Sequence, residues 1–547
     1  MNTDSSAAAT QLTDPVDQTP GATAIGFDKS QHPNCSTVLW NNLQRNPDKP
    51  AVTGPAGSLT YTQLCAEASR WGNAFINFGL QRGERIAFFL DDTPVYPAAF
   101  FGAVRAGFVP VLLNTLTTPD LLQFFLADTG ARIALCEAEF LDKFTEESTR
   151  DTALERIVIA NSADTDPHTD NEQQQSDRDF IHAQPDTLEC ADTTPDDMAF
   201  WMYSSGSTGR PKGIVHLQHD MAYTQQSYAE HLLQLSADDV CFSIPKVFFA
   251  YGFGNAFTFP FSVGATTVLL PDRPEAGRIL DTIEQFRPNV LFALPTLYTA
   301  LCRTPGVEQR DLSSLRLSVS AAETLSEDIF TTWQSLTGLK VIEGLGSTEM
   351  LHIYLSNTRE EQRPGSVGKV VPGYEAVLRD RDGHPVAKGE EGIMYVRGHS
   401  SAPCYWNRAD KTADTMRDDW IYTGDRFEER DGFYYFLGRA DDLIKVSGQW
   451  VWPLEVEKCL NEHPHVYECA VLAHQLPDRR MTLRAVVRLT GGQTGDAQQT
   501  RLLQDFVKQQ LLPYKYPRLV EYVSEIPKTG TGKVDRQALI QSGHHSE

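Results

Sequence analysis

Between residues 85 and 342, short apolar runs alternate with segments of helical spacing, and this alternation narrows the folds open to the chain. Strand-like runs at 85–90, 109–113, 132–136 and 156–160 are separated by helical stretches, the pattern of a parallel sheet covered by helices. Runs at 265–270, 289–294, 315–320 and 339–342 repeat it and predict a second parallel sheet packed against the first. A helix is predicted from about Thr62, with Leu64, Ala68, Trp71, Ala74, Phe75 and Phe78 on one face. From 377 to 397 the pattern changes to hairpins, with Asp382-Gly383 and Glu391-Gly392 as turn signals. Beyond Arg439, strands at 469–473 and 483–489 and a helix at 501–511 form a small unit of their own. Its hinge candidate is Gly438-Arg-Ala-Asp-Asp442.

At 547 residues the chain needs at least two domains. The expected division is a disordered N-terminus over 1–25, an N-terminal domain over 26–438 and a C-terminal domain over 439–547. The 48 basic and 72 acidic residues give a net charge of −24, which argues against nucleic acid or an anionic membrane as the main partner. No apolar stretch reaches membrane-spanning length, since Arg105 breaks the run at 98–113. The first residues, Ser/Ala/Thr/Asp-rich to about Gly21, lack a signal pattern. Nine scattered cysteines show no metal-ligand spacing and no disulfide framework, which predicts a reduced, cytoplasmic setting. The acidic stretch at 161–197 reads as a solvated surface excursion.

The chemistry starts at Tyr203-Ser-Ser-Gly-Ser-Thr-Gly-Arg-Pro-Lys-Gly213. Before it, Ala199, Phe200, Trp201 and Met202 read as a buried strand; after it, 216–233 has helical spacing. Small residues let backbone N–H groups close around an anion, hydroxyls add donors, and Lys212 adds mobile charge. The segment reads as a grip for a polyphosphate, with ATP as the expected ligand. Its lysine is flanked by Pro211 and Gly213, unlike that of the common nucleoside-triphosphatase loop.

Five more segments have the same character. Gly344-Leu-Gly-Ser-Thr-Glu349 ends in a carboxylate that reads equally as a magnesium ligand or a helix cap. Ile421-Tyr-Thr-Gly-Asp425 offers a carboxylate to ribose hydroxyls, though alone it reads as a turn aspartate. Gly438-Arg439 through Lys445-Val-Ser-Gly448 offers two cations and a bare-backbone glycine. Pro527-Lys-Thr-Gly-Thr-Gly-Lys533 is a glycine-rich tip carrying either a solvated lysine or one built to insert. Lys246-Val-Phe-Phe-Ala-Tyr-Gly-Phe-Gly-Asn255 is either plain core or the wall of a flat aromatic pocket.

In this order, from about Leu39 to Gln541, these segments resemble the adenylate-forming acyl-CoA synthetase superfamily. Residues 246–255, Gly346-Ser-Thr-Glu-Met-Leu-His-Ile353 and Leu512-Pro-Tyr-Lys-Tyr-Pro517 resemble, more narrowly, the benzoate–CoA ligase family. The resemblance implies an α/β with α+β fold: a large N-terminal domain of two packed α/β sheets with a small β-barrel-like subdomain, and a small mobile α+β C-terminal domain. It implies ATP, Mg2+ and coenzyme A, and a small aromatic carboxylate as substrate. A carboxylate attacks the α-phosphate to give acyl-AMP, and a thiol then displaces AMP.

By motif match, Ser204, Ser205, Gly206, Ser207, Thr208, Gly209 and Lys212 would hold the phosphates. Ala322, Glu323 and Thr324 would border adenine, Thr348 would touch the α-phosphate, and Glu349 would bind magnesium. Asp425 and Arg439 would hold the ribose, Asp441 would be the hinge, and Lys533 would bridge carboxylate and α-phosphate. Lys445 and Gly448 would serve the thiol step. Phe249, Ala250, Tyr251, Gly252, Leu345, Gly346, His352 and Ile353 would line the acyl pocket, where His352 either bonds a ring substituent or fixes the loop.

The sequence departs from the family at Ala322, where glycine is usual, and at Trp450 and Trp452, the latter replacing a small residue near the expected thiol entrance. Benzoate, hydroxybenzoate, aminobenzoate and five-membered heteroaryl acids all suit the pocket's composition, and monomer and homodimer are both open. A rival reading is an enzyme that loads an aryl acid onto a carrier protein in trans. The chain ends soon after Lys533 with no appended carrier domain, which favours a free thiol. A non-catalytic nucleotide-binding protein is a third class, disfavoured by the presence of both Glu349 and Lys533.

Overall fold

The computed structural model describes residues 24–161, 173–204, 210–271, 273–321, 325–446, 449–476, 480–528 and 534–542. The N-terminal tail, up to residue 23, lies outside them. Local sequence sets the elements directly, as the helix Tyr61–Phe78 shows. The Thr60 hydroxyl accepts from the Gln63 N–H while the Gln63 side chain accepts from the Thr60 N–H, a reciprocal cap. Gly79, at φ 92°, ends the helix, which buries Leu64, Ala68, Trp71, Ala74 and Phe75 and leaves Phe78 half-buried.

Seven strands form the first sheet, in the spatial order Gln174–Ser176, Arg156–Ala160, Ile133–Glu137, Arg85–Phe89, Val109–Leu112, Met198–Ser204, Lys212–Leu217. All neighbours run parallel except the last pair. Nine strands form the second sheet, with a parallel centre through Val240–Ser243, Val290–Ala293, Leu317–Ser320 and Val341–Gly346. Beyond that centre, Ile353–Ser356 and Lys369–Val370 add antiparallel strands. One apolar cluster joins the two layers: Phe100 packs on Phe253 at 5.2 Å and Phe101 on Phe261 at 5.6 Å. A five-stranded antiparallel sheet, led by Glu375–Arg379, Glu391–Arg397 and Trp420–Arg430, occupies the place of the expected barrel-like part. The C-terminal part has its own core, in which Val456, Leu460, Val471, Leu483 and Leu503 pack between helices Pro453–Asn461 and Ala497–Gln510 and the sheet.

Three local expectations are corrected. Residues 212–217 form a strand paired antiparallel with Met198–Ser204, in register Ser204↔Lys212, and helix starts only at Asp220. Ile214 and Val215 are buried, so an apolar pair won over the helical spacing that follows it. Glu391-Gly392 opens a strand and makes no turn; a Cβ at Gly392 would come 2.9 Å from Leu378 Cβ, so glycine there permits strand approach. The excursion at 161–197 is not all solvated: Gln174–Ser176 extends the sheet, and helix Asp177–Ile181 buries Asp177 and Phe180.

Candidate active site

Lys212 enters the site from the start of its strand. Segment 404–406 bridges onto that strand, with Ile214 opposite Tyr405 and the Trp406 N–H donating to Gly213 O at 2.8 Å. This sets the Tyr405 ring 4.1 Å beneath the Lys212 ammonium. The Tyr405 hydroxyl donates to Glu349 Oε1 at 2.7 Å, and the Ala402 N–H donates to the Glu349 carbonyl. Burial holds the Lys212 pKa below its ordinary value, with Glu349 pulling it back up. Burial and the Glu349 charge raise the Tyr405 phenol, so it stays a donor. The sequence reading missed Tyr405; its only signal was an aromatic pair, Tyr405-Trp406, in a polar stretch.

Thr348 and Glu349 lie on the short turn Thr348–Met350. Buried His216 steadies that turn, with Nδ1 2.9 Å from Asp220 Oδ2 and Nε2 3.0 Å from the Thr348 carbonyl. Buried Leu351 follows at φ 64°, a conformation uncommon outside glycine, which turns the chain sharply between Glu349 and His352.

Asp425 and Arg439 face each other across paired strands, with Nη1–Oδ1 at 3.0 Å. Burial disfavours the Arg439 charge, but Asp425, Asp441 and Asp442 more than offset it and raise its pKa. Tyr354 lies fully buried within reach of the Asp425, Glu349 and Arg439 charges, its hydroxyl without a hydrogen-bond partner among the described residues. These shared influences make Lys212, Glu349, Asp425 and Arg439 one electrostatic neighbourhood.

The C-terminal part meets this neighbourhood from one side. Trp452 stacks 3.8 Å from Arg426, the residue after Asp425, and the Lys458 ammonium donates to Phe436 O at 3.2 Å. Asp441 lies in the short turn Ala440–Asp442, and Lys445 is exposed on Ile444–Val446, opposite Trp450 in register.

The acyl segments meet through glycines. A Cβ at Gly346 would come 2.3 Å from His352 O, and one at Gly254 would come 2.3 Å from the His352 ring. His352 is enclosed by Phe259, Tyr228 and Tyr251, with ring centroids at 4.5, 5.3 and 5.6 Å. Among the described residues neither ring nitrogen makes a well-formed hydrogen bond, and burial pushes the pKa down to about 3 against a weak pull from the Tyr251 backbone, so the imidazole is neutral. Leu345, Tyr251 and Ile353 pack in the cluster of the second sheet, whereas Phe249 packs with Phe248 against the cluster that includes Ala250. Two π-helical turns, Gln225–Glu230 and Gly254–Thr258, flank His352.

Ser205, Gly206, Ser207, Thr208, Gly209, Ala322, Glu323, Thr324, Gly448 and Lys533 lie outside the described residues, as does the Trp450 side chain. Their frames are described. Lys528 and Val534 pair as an antiparallel bridge, closing the base of the segment that carries Lys533. After 322–324, the Leu325 N–H donates to Glu343 Oε1 at 3.1 Å. Burial pushes the Glu343 carboxyl up to about 7, with Lys458 opposing it. The sequence reading missed Glu343.

A folded-state pKa above the unfolded one contributes stability that is full below about pH 4.5 and is lost as pH rises through about 7. Glu343→Gln is therefore expected to raise Tm relative to the parent at about pH 8 and to change it little at about pH 4.5. Melts at both pH values check this, and an equal offset at both would contradict it.

The AMP-binding enzyme family model matches residues 39–406, and the AMP-binding enzyme C-terminal domain model matches 455–533. The chain is 39% identical to a benzoate–CoA ligase of Thauera aromatica over 91% of this chain and 94% of that one. An anthranilate CoA ligase in complex with anthranoyl-AMP superposes with TM-score 0.88 at 37% identity, covering 95% of this chain and 99% of the other. A benzoate CoA ligase from Burkholderia xenovorans LB400 superposes with TM-score 0.85 at 35% identity, covering 92% and 99%.

Proposed function

Since the chain belongs to the AMP-binding enzyme family, we propose that it is an ATP-dependent aryl-CoA ligase acting on benzoate or a close relative. The observation that carries the reading is the gathering of Lys212, Glu349, Asp425 and Arg439 in one charged neighbourhood beside the aromatic enclosure of His352.

In the first step a carboxylate oxygen of the acid bonds to the α-phosphorus of ATP, and the bond to the β-phosphate oxygen breaks, releasing pyrophosphate. Lys212 would steady the leaving pyrophosphate, and Lys533 would bridge the attacking carboxylate and the α-phosphate. Asp425 and Arg439 would hold the ribose, and Thr348 would contact the α-phosphate. In the second step the sulfur of coenzyme A bonds to the acyl carbon, AMP leaves with the old ester oxygen, and the thiol proton passes to solvent. Lys445 and Gly448 would serve this step after the C-terminal part turns about Asp441.

Glu349 fits magnesium as a single carboxylate, and no cluster of three ligating side chains forms among the described residues. That donor set suits a hydrated ion held chiefly by nucleotide phosphates. When bound, the ion neutralises phosphate charge. Neutral His352 would act as a shape element of the pocket wall, its packing against Phe259, Tyr228 and Tyr251 and the pull of the Tyr251 backbone supporting the loop-fixing role.

Pyrophosphate release from ATP is expected to depend on an aryl carboxylate, and thioester formation on coenzyme A. A screen of benzoate, hydroxybenzoates, aminobenzoates and heteroaryl acids, with coenzyme A and a carrier protein as alternative acceptors, tests both. Release that no aryl acid stimulates would overturn the reading.

A further inference from the structure

The acyl segment begins at Lys246, and an unusual set of buried charges fixes that beginning. The Lys246 ammonium donates to Asp91 Oδ1 at 2.5 Å, Leu270 O at 2.7 Å and Pro271 O at 2.6 Å. The next N–H, of Val247, donates to Asp92 Oδ1 at 3.2 Å. Asp91 and Asp92 follow the strand Arg85–Phe89 of the first sheet, and Leu270-Pro271 follow Thr266–Val268 of the second. The set thus ties both sheets to the point where the segment starts.

Downstream, the segment folds back on its own origin. A Cβ at Gly252 would come 2.0 Å from Lys246 O and 2.4 Å from Pro245 O, and Gly254 presses on the His352 ring. A shift of the Lys246 backbone must therefore move Gly252, and through the same helix the wall around His352. Two carboxylates share one ammonium here, and burial pushes the Asp92 carboxyl up against the pull of Lys246. Apolar packing of equal volume is often as stable as buried ions or more so, which makes stability alone a poor account of this set.

We infer that Asp91, Asp92 and Lys246 are positioning residues for the aryl acid: they fix the acyl segment at both sheets and so set the pocket wall, without touching substrate. The inference rests on the aryl-acid reading of the site. In the full-length chain, Asp92→Ala is expected to raise KM for benzoate by about tenfold or more, since small misplacements of a binding wall are costly, with KM for ATP within about twofold of the parent. Asp92→Asn keeps the acceptor for Val247 and is expected to restore the parental KM. Lys246→Met should behave as Asp92→Ala; if it does not fold, the Asp92 pair decides. A lowered Tm with both KM values unchanged, or equal rises in both, would overturn the inference. Failure of the parent protein to use any aryl acid would instead overturn the functional reading.

Discussion

Replacing Lys533 by alanine is expected to abolish acyl-AMP formation while leaving conversion of supplied acyl-AMP to the thioester largely intact. The attack brings a carboxylate against a triphosphate, and like charges must approach. One cation at ~4 Å offsets about 4 kcal/mol at an effective dielectric near 20. If realised only in the transition state, that is about a thousandfold in rate. Lys533 sits on a segment closed at its base by the Lys528↔Val534 bridge and anchored by the Lys528–Glu468 ion pair. Loss of its side chain should therefore leave the frame standing. Lys445→Ala should do the reverse, slowing the thiol step and sparing pyrophosphate release. Equal loss of both half-reactions in both variants would end the division of labour.

Glu349→Gln is the second large effect expected, a fall of at least about a hundredfold in adenylation. The carboxylate does two things at once. It is the candidate magnesium ligand, and it is the counter-charge that opposes the lowering of the half-buried Lys212 pKa by burial. Glutamine still accepts the Tyr405 hydrogen bond, so the variant removes charge with little change in shape. Tyr405→Phe removes only the orienting bond, which to a charged group is worth about 1.5–3 kcal/mol, and should cost about tenfold or somewhat more. Titrating magnesium in a pyrophosphate-exchange assay separates the two. The Glu349 variant should need much more of the ion and the Tyr405 variant scarcely more; an unchanged magnesium requirement in the Glu349 variant would remove its assigned role.

Much of the frame was legible because strand and helix periods are local. The helix at 61–78 and the strand at 156–160 follow from burial patterns that need no knowledge of partners. Glu349, Asp425 and Arg439 could be named from motifs because strands fix their backbone: Glu349 follows Val341–Gly346, Asp425 lies within Trp420–Arg430 and Arg439 ends Phe433–Arg439. Tyr405, His216 and Glu343 could not, since each acts through a partner well removed along the chain: Tyr405 through Glu349, His216 through Thr348, Glu343 through Leu325. The error at 216–219, read as the start of a helix, has the same origin. Pairing with Met198–Ser204 is a tertiary choice, and it overrode a helical spacing that becomes real only from Asp220. Trp452 was read as bulk near a thiol passage, and only the fold shows it stacked on Arg426.

The strand Lys212–Leu217 stands between the Tyr203–Gly213 segment and the helix that begins at Asp220, so no helix end follows that segment directly. A helix end would present a standing partial charge of about half a unit, on duty before, during and after reaction. Two paired strands supply no such charge, and among the described residues the cation beside them is the Lys212 ammonium, its pKa lowered by burial. A helix end is fixed in place, whereas an ammonium on a flexible four-carbon stem can follow an anion or turn away from it.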